Sequence, residues 1–314
     1  MKTKYYLLAV AASAMLTACN SDDELKFDGK IRLTTTGMEM MTRSTNQNIQ
    51  REQFDGSETV DIYLEDAYTG TDQQKSTYPQ PLGYTADGGG NLSYSPIQIW
   101  PINNHSLNVW GVYPQGAGGT DVAATAVSFS VQADQSTDAG YKQSDLMTGR
   151  PATLPVEPSE NAYTIPLTFH HLLAKVNVNL SKTAATTTVT DEQLASAKIY
   201  IMNTKPTTTF SPKTDDITAA TGDAQDIFVC NGTSGSCIVV PQNIAAGTAY
   251  IKVVIGDDTY IYTAPDGGIS LSTKKEHTYD IKIHKASVIL TTTIVDWLGI
   301  NDAHTTGTAY IQNQ

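Results

Sequence analysis

Leu107-Asn108-Val109-Trp110-Gly111-Val112-Tyr113, closed by Pro114, is the run that sets the fold. Apolar and aromatic residues recur in it at every second position, the period of a β-strand whose successive side chains point to opposite faces. The same period returns along the whole chain, at 31–36, 60–64, 92–94, 97–100, 127–131, 165–169, 176–180, 199–202, 238–240, 250–255, 260–263, 269–271, 279–283 and 288–297. Turn residues separate these runs, among them Asp87-Gly88-Gly89-Gly90, Gly256-Asp257-Asp258 and Pro265-Asp266-Gly267-Gly268. The pattern predicts an all-β chain of antiparallel β-sandwiches. Residues 191–196, Asp-Glu-Gln-Leu-Ala-Ser, form the one short helix expected, opened by a cap at Thr190 or Asp191.

With 314 residues, the chain suits two domains of roughly 100–150 residues each. Pro151, Pro155, Pro158 and Pro166 interrupt strand pairing between them. The expected division is therefore 20–165 for the N-terminal unit and 166–314 for the C-terminal one. Only 17% of residues are charged, and Thr, Ser, Asn and Gln supply most of the polar surface. The net charge of −12, with no Lys/Arg-rich run, argues against nucleic acid and anionic membrane surfaces as partners.

The first residues form a separate signal. Lys2 and Lys4 precede an apolar run over 5–15, and Leu16-Thr17-Ala18-Cys19 ends it. An apolar core of about ten residues is too short to span a bilayer of roughly 30 Å as a helix. The segment resembles a lipoprotein signal peptide, 1–19, with Cys19 as the lipidated residue, anchoring the chain in the outer membrane through its acyl chains. Ser21-Asp22-Asp23-Glu24 resembles an acidic tag for surface exposure. The other two cysteines, Cys230 and Cys237, flank Asn231-Gly232-Thr233-Ser234-Gly235-Ser236. In an oxidising compartment they are candidates for a disulfide across a turn, contributing roughly 2.5 kcal/mol, or else two free thiols on adjacent strands.

Residues 169–176, Phe-His-His-Leu-Leu-Ala-Lys-Val, resemble the Phe-x-His-x-Leu-Ala-Lys-Val signature of the fimbrillin family, the Mfa-like pilins of type V pili. Other landmarks follow that family's order: Thr42-Arg43, Ile99-Trp100-Pro101, Val109-Trp110-Gly111-Val112-Tyr113-Pro114, Asp145-Leu146-Met147, Val240-Pro241-Gln242 and Ile294-Val295-Asp296-Trp297. The resemblance covers roughly residues 25–300. It implies two transthyretin-like β-sandwich domains in a pilus subunit serving adhesion, on the outer membrane and then in the fimbrium.

The family's assembly logic implies a removable first strand within 20–43, with the plug at about 26–41. An Arg-specific protease cuts between Arg43 and Ser44, and the vacated groove then takes a strand from another subunit. Arg51 is the rival site; Arg32 lies in the predicted strand and Arg150 between domains. Ala303, Thr305, Gly307, Ala309 and Ile311 give the tail one weakly apolar face, which suits either a donor strand or a tip subunit that only receives one. Further partners implied are a host or bacterial surface ligand.

The competing readings are an enzyme and a glycan-binding surface lipoprotein. No Gly-x-Ser-x-Gly elbow, phosphate-binding glycine loop or His-Glu-x-x-His zinc helix occurs in the sequence. Ser272-Thr273-Lys274-Lys275 matches Ser-x-x-Lys in spacing alone. No cofactor is expected, and His170 and His171, adjacent in a strand, point to opposite faces and do not share a metal. Trp110 and Trp297 are expected as core anchors ahead of sugar-stacking platforms.

Overall fold

The computed structural model describes residues 28–36, 54, 56–121, 123–159, 164–183, 189–284, 287–296 and 301–309. The first half runs β1 (Leu33–Thr35), β2 (Thr59–Asp66), β3 (Leu82–Ala86), β4 (Asn91–Ser93), β5 (Leu107–Tyr113), β6 (Val127–Ser130), α1 (Asp138–Ser144), β7 (Met147–Arg150) and β8 (Ile165–His171). The second half begins with β9 (Ala174–Lys182), α2 (Asp191–Ala195), β10 (Lys198–Thr204), β11 (Thr207–Phe210), β12 (Gln225–Asn231) and β13 (Ser234–Val239). It continues with β14 (Gln242–Ile244), β15 (Ala249–Ile255), β16 (Asp258–Thr263), β17 (Ile269–Leu271), β18 (Lys275–His284), β19 (Ser287–Asp296) and β20 (Asn301–Ala309). The chain is all-β apart from short helices. Thr190 caps α2, and Gln193 reaches back to the Thr190 N–H to complete a capping box.

The first half is built on one large sheet. Its sheet closes on itself in the order β1-β4-β3-β2-β5-β7-β8, because β1 pairs with β4 on one side and β8 on the other. The second half is two sheets, β12-β10-β15-β16 and β13-β9-β18-β19-β20. Two smaller pairs complete it, β14 with β17 and β11 with β6, the second reaching back into the first half.

Buried apolar side chains gather in two clusters. One fills the closed sheet and includes Ile31, Leu33, Phe54, Val60, Ile62, Leu92, Leu167 and Phe169. The other lies between the two later sheets and extends to Tyr63, Trp110 and Val112. β5 therefore serves both. Leu107, Val109 and Tyr113 point into the ring, while Trp110 and Val112 are covered from outside. Trp110 is a core anchor, stacked on Tyr63 at 5.5 Å between ring centroids with the Lys213 ammonium 4.5 Å from its ring.

Phe169, in β8, belongs to the first cluster and Leu172, just after it, to the second. Residues 165–171, as β8, close the ring. Pro166 does not interrupt it. Ile165 N–H donates to Arg32 O at 2.8 Å and Thr36 N–H to Leu167 O at 3.1 Å, so the proline nitrogen faces away from β1. On that other side β7 pairs only with 168–171, and no ladder hydrogen bond is lost.

Candidate functional site: the first strand and its slot

β1 and the residues before it lie in a slot one strand wide. Leu33 stands opposite Leu92 in the antiparallel pairing with β4 and opposite Ile165 in the parallel pairing with β8. Ile31 N–H donates to Gln98 O at 2.8 Å, and Trp100 N–H donates to Gly29 O at 2.7 Å. Farther along, Thr35 N–H donates to Gly90 O at 2.6 Å. The Asp87–Gly90 turn delivers that carbonyl: the Asp87 carboxylate accepts from the N–H groups of Gly89 and Asn91, and Gly90 adopts φ +92°. A side chain at Gly90 would be strained there, with its Cβ 3.3 Å from Thr35 O.

Two side chains of this segment enter the ring. Ile31 is 1% exposed and Leu33 2% exposed, against Leu92, Ile165 and Leu167 among others. Burying two such side chains contributes roughly 3–6 kcal/mol. The opposite face is wet. Arg32 donates two hydrogen bonds to Asp28, at 2.8 and 2.6 Å, and Lys30 joins the same carboxylate at 3.2 Å. Those hydrogen bonds hold the Asp28 carboxyl well below the usual carboxylate range.

Removal of β1 would do two things at once. Among the described residues, 165–167 of β8 pair with no strand except β1, and β4 pairs otherwise only with β3. Their backbone groups would lose partners, and the core around Leu92 and Leu167 would open. Such an edge is a template for an incoming strand of the same direction and alternation.

The remaining expected positions divide. Cys19, Arg43, Ser44, Arg51 and Trp297 lie outside the described residues. Arg32 is tied to Asp28, and Arg150 pairs with Asp215 at 2.6 Å. The tail residues Ala303 to Ala309 form β20, which pairs with β19. Cys230 and Cys237 are not bonded to each other; both are free thiols. Their strands β12 and β13 pair with β10 and β9 respectively, in different sheets, so the turn between them does not place the two cysteines opposite one another. Cys230 Sγ instead donates to Ser234 O at 3.3 Å, and Cys237 is buried. The walls of the slot, Gly90, Leu92 and Ile165 to Leu167, were legible in the sequence as turn and strand but not as walls of a slot.

A family model described as fimbrillin-like matches residues 42–297. The chain belongs to the fimbrillin-like family. A curated relative of this fimbrillin-like chain, a candidate fimbrium subunit Fim1C of Bacteroides uniformis, is 26% identical over 98% of this chain and 100% of its own length. Two solved structures share the fold. A candidate cell adhesion protein of Bacteroides uniformis superposes with a TM-score of 0.60 at 21% identity, over 86% of this chain and 100% of its own. Another, of Bacteroides ovatus, gives 0.65 at 16% identity, over 85% and 97%.

Proposed function

We propose that this fimbrillin-like chain is a pilus subunit whose first strand is a placeholder. The precursor is held at the outer membrane through a lipidated Cys19. An Arg-specific protease cuts between Arg43 and Ser44, in the connection between β1 and Phe54, and β1 leaves. Another subunit then inserts a strand into the slot, and main-chain hydrogen bonds join the fibre. The role is structural and adhesive, with no catalytic step and no cofactor.

The observation that carries this reading is the double pairing of β1. With Ile31 just ahead of it, it supplies two inward side chains to the ring while lying near the start of the chain, followed by a long connection before Phe54. A strand so placed is removable by one cut and leaves a slot of its own shape. The glycan-binding alternative loses a platform, because Trp110 and Trp100 are both buried.

Treatment of the purified precursor with an Arg-specific protease tests it. The expected result is Ser44 as the new N-terminus, release of the preceding segment and a ladder of SDS-resistant oligomers. Retardation in polysaccharide gels without a ladder overturns the proposal in favour of a monomeric binder.

A further inference from the structure

Gln242, the last residue of the Val-Pro-Gln landmark, is not among the walls of the slot. Its side-chain amide is given over to the backbone of one other residue and of its own turn. The amide oxygen accepts from the Lys205 N–H at 2.9 Å, and the amide nitrogen donates to Lys205 O at 3.1 Å and to Val240 O at 2.9 Å. A side-chain amide has both a donor and an acceptor, so it can close both backbone groups of one residue as a neighbouring strand would. The residue held in this way is an exposed lysine. Its ammonium makes no hydrogen bond or ion pair among the described residues.

Lys205 lines a cleft of about 650 Å³, a volume within the range of small-molecule sites. Pro241, Ile244, Leu271 and several alanines give the cleft its apolar surface. Asn243 and Thr248 add a carboxamide and a hydroxyl, neither of them hydrogen-bonded among the described residues. No Asp or Glu is among the described residues that line it, although the chain carries 32 acidic side chains against 20 basic ones. A concave surface with an unpaired ammonium and no carboxylate has the opposite sign to the chain as a whole, and it selects an anion.

The rest of the lining narrows the kind of anion. An inorganic ion would pair with Lys205 and leave the apolar surface uncovered. A lysine also presents a point charge and not the forked donor set of arginine that suits phosphate. A carboxylate carried on a sugar ring uses the whole cleft. Its charge meets Lys205, its hydroxyl or N-acyl groups meet Asn243 and Thr248, and its C–H surface lies on Pro241 and Ile244.

We propose that this cleft binds a carboxylate-bearing sugar residue, with Lys205 pairing the carboxylate and Asn243 and Thr248 bonding the polar groups of the ring. The proposal rests on the adhesive role in the proposed function and names the chemical class of its surface ligand. It is independent of which strand fills the slot.

Titration of the full, uncleaved chain with N-acetylneuraminic acid, glucuronic acid, galactose and acetate, followed by calorimetry at low and high salt, tests it. The two acidic sugars are expected to bind with a Kd of about 1 mM, and galactose and acetate at least about tenfold more weakly. High salt should weaken the acidic sugars further. Lys205→Gln should weaken both acidic sugars about tenfold, with the melting temperature and the protease-induced ladder unchanged. Lys198→Gln, the same loss of charge at an exposed position outside the cleft, should leave their binding as it is. Absence of binding, unchanged affinity in K205Q, an equal loss in K198Q, or acetate or galactose binding as tightly as the acidic sugars overturns the proposal. A ladder without sugar binding removes the ligand and leaves the pilus reading standing; sugar binding without a ladder leaves the cleft standing and removes the fibre.

Discussion

His171 Nδ1 lies 2.7 Å from Asp145 Oδ1, and both residues are buried. They come from separate landmarks of the sequence, the Asp-Leu-Met element before β7 and the Phe-His-His run that ends β8. Beside them Leu172 N–H donates to Leu146 O at 2.9 Å. The contact sits where the chain passes from one core to the other, and so ties the crossing to the start of β7.

Removing one member of this pair takes a close charged or polar contact from the other in a buried site. Asp145→Ala and His171→Ala are each expected to cost about 3–5 kcal/mol of unfolding free energy. The double variant should lose less than the sum of the two, because the contact between them can be lost only once. Urea unfolding of the four proteins checks both statements.

Phe169 occupies a space that exists because two neighbours have no side chain. Gly111, Gly149 and Phe169 lie in register across β5, β7 and β8. A Cβ on Gly149 would stand 2.6 Å from the Phe169 ring, and one on Gly111 2.7 Å from it. Phe54 meets the same ring edge-on at 5.0 Å. Gly149→Ala is expected to destabilise by about 1–3 kcal/mol through overpacking. The loss should shrink in a Phe169→Leu background, where the ring is gone; thermal melts of the single and double variants decide it.

His277 is 1% exposed, and among the described residues neither ring nitrogen has a hydrogen-bond partner. Burial, with the nearby Lys275 charge, pushes its pKa down to about 4. The folded chain therefore holds this imidazole neutral, while the unfolded chain protonates it below about pH 6.5. Stability tied to His277 is fully present above pH 6.5 and is lost as the pH falls from there toward 4. Between pH 7 and pH 5 the loss amounts to about 2 kcal/mol. His277→Leu should flatten that part of the stability profile, as read from urea midpoints across the pH range.

Burial drives the thiols of Cys230 and Cys237 upward, the first to about 11. Neither forms an appreciable thiolate at neutral pH. The folded protein is expected to react with iodoacetamide far more slowly than the urea-unfolded protein, at both positions. Rapid labelling of Cys237 in the folded state would contradict its place in the core.

Local pattern determined a good deal by itself. Alternation over 60–64 and 107–113 required strands, because a period of two cannot present one face from a helix. A cap at Thr190 or Asp191 marked the start of α2, because capping is satisfied within a single turn, and the structure places it at Thr190. The run 169–176 and six further ordered landmarks sufficed to suggest the family. What local pattern could not contain was which strand lies beside which. The closure of the ring by β1 depends on hydrogen bonds from Thr35 to Gly90 and from Ile165 to Arg32, across long stretches of chain. The same is true of the burial of both faces of β5, of the crossing at Leu172 and of the two cysteines in separate sheets. Period and turn chemistry are short-range properties of the backbone, whereas sheet order and closure are settled by which distant edges find partners, and only the folded chain brings those edges together.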